Sequence, residues 1–131
     1  MYEFHAWFGL AETTSEMDAG HLSSALAELK LILGAFASPT AAAELIALNG
    51  QYFVSVDGFV NRRRNEGSNL DDLLVYLAGS LPGSWGVVYE RDDESLEQPG
   101  PNAFRVRVLA RGAVTEHSDP FLSPCRPTIE D

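Results

Sequence analysis

Two leucine stripes at helical spacing constrain this chain more than any other feature. Leu22, Leu26, Leu29, Leu33 and Phe36 recur every three or four residues, widened by Ala25 and Ile32, and predict a helix over about 18–37. Leu70, Leu73, Leu74, Leu77 and Leu81 predict a second over about 70–81. A striped helix must bury that stripe against another layer, and the intervening segments alternate as strands do. Asp18 fits as the first N-cap, Gly34 weakens the last turn and Pro39 bars continuation. Asn69 fits as the second N-cap, with Asp71 and Asp72 in the first turn, where the helix dipole favours acids. Pro82-Gly83 ends that helix.

The remaining segments supply the sheet. In 2–10, Tyr2, Phe4, Ala6, Phe8 and Leu10 share one side, and Glu3, His5, Trp7 and Gly9 the other. The alanines of 41–48 favour helix while Asn49-Gly50 signals a type I′ hairpin, so this stretch reads as a short helix or loop followed by a strand over 44–48. Its partner is 51–60, which Asp57-Gly58 either bulges or ends. A polar loop over 61–68 carries Arg62, Arg63 and Arg64, which either balance nearby acids or stay solvated. Strands follow at 84–91 and 103–111, separated by an acidic loop over 92–102, and a short strand at 113–117 fits after the Gly112 turn. Prolines 120, 124 and 127 keep the tail extended. The order β-α-β-β-α-β-β predicts a single α+β domain over 1–131, a two-layer sandwich with both helices on one face of a mostly antiparallel sheet, and it allows a ferredoxin-like arrangement. The helix-free face then carries Glu3, His5, Trp7, Arg105 and Arg107.

Charge narrows the function. The 131 residues hold 19 acids and 9 bases, a formal net charge of −10, which argues against nucleic-acid binding and suits a basic protein partner. The sole cysteine, Cys125, excludes an internal disulfide and multi-cysteine metal sites, and reads as a buried or half-buried tail anchor. No apolar run reaches the roughly 18 residues of a membrane span, and the start lacks a signal peptide, so a cytoplasmic protein is expected. His5, His21 and His117 lack metal-ligand spacing, and no phosphate loop or nucleophile–base pair stands out. Binding without cofactor or metal is therefore favoured over catalysis. A small enzyme using His5 or Cys125 with loop carboxylates is the less favoured reading.

Four stretches carry a family resemblance: Tyr2-Glu3-Phe4-His5-Ala6-Trp7-Phe8, Pro82 to Gly86 with Tyr89 to Glu94, Phe104 to Gly112, and the tail Asp119 to Asp131. Together they resemble the immunity-protein-seven family of bacterial polymorphic toxin systems. The resemblance implies a small, non-enzymatic cytoplasmic protein that binds and neutralises a cognate toxin domain encoded by a neighbouring gene. The alternative within binding proteins is an effector adaptor or chaperone that does not inhibit.

Delivered toxins are often nucleases with basic substrate grooves, so an acidic inhibitor would speed encounter and fill the groove. The candidate toxin-binding residues are Asp92, Asp93, Glu94 and Glu97 in the acidic loop, then Asp57 and Glu66 in neighbouring loops. Trp7 would supply an aromatic anchor provided its strand face is open. Strand order and oligomeric state do not follow from the sequence.

Overall fold

A computed structural model describes residues 1–13 and 20–125 of the chain. It contains β1 (Tyr2–Gly9), α1 (Leu22–Gly34), β2 (Ala41–Leu48), β3 (Gln51–Val60), α2 (Asn65–Ser80), β4 (Trp85–Asp92), β5 (Arg105–Ala110) and β6 (Ala113–Ser118). The six strands form one sheet in the order β2-β3-β1-β4-β5-β6, each neighbouring pair antiparallel. The predicted element order is thus extended by β6, the strand expected at 113–117.

Alternation in β1 determines which face the helices cover. Tyr2, Phe4, Ala6 and Phe8 are buried in one cluster with Leu26, Leu29, Leu33 and Phe36 from the first stripe and Leu70, Leu73, Leu74, Leu77 and Leu81 from the second. Each fully buried Leu or Phe contributes about 1.5–3 kcal/mol relative to exposure. Register carries the face across the sheet: Val54 and Val56 of β3 and Val88 of β4 lie beside these β1 residues. Gly58 opposes Phe4, whose ring occupies the space a Cβ would need. Pairing runs unbroken to Val60, so Asp57-Gly58 neither bulges nor ends the strand.

Several boundaries differ from the sequence expectation. The alanines of 41–43 belong to β2, because Ala41, Ala42 and Ala43 pair with Gly58, Asp57 and Val56; tertiary pairing overrides their helix propensity. The helix predicted over 70–81 begins a turn and more earlier, at Asn65, with Arg64 at the N-cap position. Asn69 is therefore inside the helix, and Asp71 and Asp72 lie beyond its first turn, which holds Glu66. Only Gly67 of the added segment 65–69 is buried, so it left no apolar signal. The first helix is shorter than 18–37, and His21 takes its N-cap position; Asp18 falls outside the described residues.

The largest correction concerns Arg105 and Arg107. Glu90 opposes Phe4, and Arg105 and Arg107 oppose Glu90 and Val88, so both arginines project from the helix-covered face. Val106 and Val108 occupy the other face instead, beside Tyr89 and Val87. Alternation alone does not say which side is inner, and here carboxylates of β4 and α2 hold the charged side.

Candidate functional site

The predicted residues divide between two places. At one end of the sheet, Asp92 closes β4 opposite Tyr2 and leads into the acidic loop. The loop is locally braced: the backbone N–H of Glu94 donates to Asp92 Oδ1 at 3.0 Å, Ser95 N–H donates to the Asp92 carbonyl at 3.0 Å, and Glu97 N–H donates to Ser95 Oγ at 3.3 Å. The chain's first ammonium donates to Asp93 Oδ1 at 2.7 Å, and Arg62 approaches Glu94 at 3.9 Å. Asp93, Glu94 and Glu97 remain exposed, and Leu96 stands fully exposed among them. The sequence singled out the acids but passed over this leucine. Glu66 lies in the first turn of α2, just after the arginine loop that meets Glu94.

Beneath this loop is a cleft of about 690 Å³ whose floor includes Tyr2, Arg63, Glu90, Arg105 and Arg107. Glu90, 4% exposed, accepts from Arg105 Nη2 and Arg107 Nε at 2.6 Å each and from the Tyr2 hydroxyl at 3.1 Å. Arg107 Nη1 donates to Asp71 Oδ1 at 2.6 Å, and Arg63 Nη2 reaches both Asp71 oxygens at 3.0 and 3.1 Å. Burial of the Tyr2 phenol beside the Glu90 carboxylate pushes its pKa well above the ordinary range. Burial would raise Asp71, but its bonds to Arg107 and Arg63 prevail and hold it below its ordinary value. These ion pairs join α2 to the sheet and take up the arginines missing from the open face, leaving, among the described residues, only Arg107 Nη2 of the network buried without a hydrogen-bond acceptor.

The helix-free face holds Trp7 and Asp57. Trp7 is 49% exposed, and its ring meets Trp85, 47% exposed, edge-on at 5.6 Å. Phe53 meets Trp85 at 6.3 Å. The indole of Trp85 lies over Gly9, where a Cβ would collide with it. Beside this cluster, His5 Nδ1 lies 2.8 Å from Asp57 Oδ1 and His5 Nε2 lies 2.7 Å from Glu3 Oε2. Burial lowers the His5 pKa, but the two carboxylate bonds prevail and raise it. Both ring nitrogens face acceptors, an arrangement the imidazolium satisfies completely.

The far part of the same face is occupied by residues 119–125 of the tail; Pro127 and the rest of the tail lie outside the described residues. Asp119 N–H donates to the Phe104 carbonyl at 3.3 Å, the Tyr89 hydroxyl bonds Asp119 Oδ1 at 3.4 Å, and Cys125 N–H donates to the Asn102 carbonyl at 2.9 Å. Phe104 and Val106 are buried there. Burial pushes the Cys125 thiol up, away from the reactive thiolate, as a half-buried anchor requires. Among the described residues, no group of three or more His, Cys, Asp or Glu is placed to hold a metal ion, and no helix is long and apolar enough to cross a membrane.

An antiparallel sheet with a helix layer on one side, an exposed aromatic cluster on the other and a braced acidic loop at its end defines an α+β fold. The profile of the Immunity protein 7 (Imm7) family matches residues 1–131, and the chain belongs to that family of immunity proteins, which implies a toxin partner. Searches of curated proteins and of solved structures return no match.

Proposed function

We propose that this chain binds a cognate secreted toxin domain, encoded by a neighbouring gene, and blocks its active site by occlusion rather than by catalysis. The family match across the whole chain carries this reading. In it, the protein works in the cytoplasm of the producing cell and its kin, and the toxin is a nuclease whose substrate groove is basic. Trp7 is the desolvated anchor, because it is large, half exposed and already backed by Trp85. Asp57 flanks it through His5, and Asp92, Asp93, Glu94 and Glu97, with Glu66 behind, supply the acidic rim that draws in a basic groove. Along β1 and β4 the loop and the anchor lie at opposite ends, roughly 17 Å apart at about 3.4 Å per residue. The loop lies over the cleft on the helix-covered side and the anchor on the open face, so a partner reaching both wraps the end of the sheet. An interface of about 800 Å² per partner covers that distance. The first six elements are read as a ferredoxin-like core, since β1 lies between β3 and β4 with β2 outside, and β5 and β6 extend it.

Association kinetics with the neighbouring-gene toxin domain test the mechanism. Replacing Asp92, Asp93, Glu94 and Glu97 by Asn or Gln should slow association at low salt by about tenfold or more, and the deficit should shrink as salt rises. An unchanged rate at low salt removes the loop from the mechanism, and failure of the native chain to bind at all removes the reading.

A further inference from the structure

Among the described residues the sheet has two free edges, and they differ in apolarity. β6 reads Ala113-Val114-Thr115-Glu116-His117-Ser118, with two apolar residues in six. β2 reads Ala41-Ala42-Ala43-Glu44-Leu45-Ile46-Ala47-Leu48, with seven apolar residues in eight, and neither edge contains proline. The two-residue turn at Asn49-Gly50, with φ of 50° and 79°, closes on the Leu48–Gln51 pair, and Phe59 N–H donates to the Thr40 carbonyl at 2.9 Å. Both ends place the bonded pairs at even positions of β2. Ala42, Glu44, Ile46 and Leu48 therefore direct their backbone groups at β3, and Ala43, Leu45 and Ala47 direct theirs outward. An edge of this length, this apolar and this flat in composition is a template for another strand.

The side chains of the even positions lie on the helix-free face. Register sets Ile46 beside Phe53, which meets Trp85, and sets Glu44 beside Ser55, which is beside Trp7. The edge thus continues the aromatic face on which the toxin reading rests. Glu44 is exposed and forms no ion pair among the described residues. A second copy of this chain would bring another −10 of charge to the contact, whereas a basic partner complements it.

We propose that the outer edge of β2 receives an extended strand of the toxin, which adds to the sheet through the backbone groups of Ala43, Leu45 and Ala47. That strand carries a lysine or arginine opposite Glu44 and apolar side chains toward Ile46 and Leu48. This deepens the toxin-neutralisation reading and rests on it.

Amide hydrogen exchange of the full-length protein, alone and with the neighbouring-gene toxin domain, tests it once complex formation has been verified by mass. The Ala43, Leu45 and Ala47 amides should exchange at least tenfold more slowly in the complex. Ala43→Pro removes one outward N–H without removing a bond to β3, and should weaken binding at least tenfold. Glu44→Lys should weaken it with an unchanged melting temperature, which covers the event that the proline variant does not fold. A complex in which those three amides exchange as before overturns the strand addition and leaves the toxin reading standing. Concentration-dependent slowing in the protein alone, with a dimeric mass, assigns the edge to a second copy and also overturns it. Absence of any complex overturns both.

Discussion

At the scale of single residues, position along a strand decides what each ionisable group does. His5 and Glu90 both sit on central strands, yet on opposite faces, and their surroundings set opposite tasks. His5 is half exposed between two carboxylates, and its pKa is raised above 6.5. Its contribution to stability is therefore fully present below pH 6.5 and is lost as pH rises through the folded value. Thermal melts should show His5→Gln abolishing that loss above pH 6.5 while leaving the acid limb unchanged; a variant that retains the alkaline slope assigns it to another group. Asp71 carries the reverse sign. Its folded pKa lies below 3.8, so its contribution holds above pH 3.8 and disappears as pH falls through the folded value. The sequence left open whether the strand face of Trp7 is exposed, and it is, because Tyr2, Phe4 and Phe8 claim the inner face. Leu96 was not legible, since a lone leucine among acids has no period to betray its exposure.

At the scale of elements, the leucine stripes and the β1 alternation identified both helices, the inner face and most of the strands. What they missed follows from two physical causes. Segments whose structure depends on a distant partner carry no local period: Ala41–Ala43 become strand only because β3 lies alongside. Alternation also leaves inside and outside undetermined when both sides are mixed, as in β5, where Arg105 and Arg107 were expected on the open face. They face inward because Glu90 and Asp71, from β4 and α2, receive them. Glu90 is thus the charge through which α2, β4 and β5 hold together. Removing one partner of a buried ion pair costs about 3–5 kcal/mol, so Glu90→Gln, which leaves the guanidiniums of Arg105, Arg107 and, at 3.6 Å, Arg63 around a neutral amide, should lower the urea unfolding free energy by about that amount. A loss under 1 kcal/mol would mean the network contributes little to joining the helix layer to the sheet.

At the scale of the whole molecule, the two layers divide the labour. The helices bury one sheet face and free the other, residues 119–125 cover part of that open face, and what remains includes the Trp7–Trp85–Phe53 cluster, the Glu3–His5–Asp57 group and the bordering edge of β2. The acidic loop stands at the end of the same sheet, braced by its own backbone and by the chain's first residue. In the proposed reading, the formal charge of −10 draws in a basic partner and the aromatic cluster holds it. The Imm7 assignment makes the partner a toxin, and Trp7→Ala, the loss of an interface anchor, should weaken binding by at least about 2 kcal/mol. Growth of cells expressing the neighbouring-gene toxin domain tests the central claim most directly. Full growth with the native chain and growth arrest with soluble, folded Trp7→Ala at matched expression is the predicted result. Toxicity that persists with the native chain, both proteins being soluble, would contradict the account.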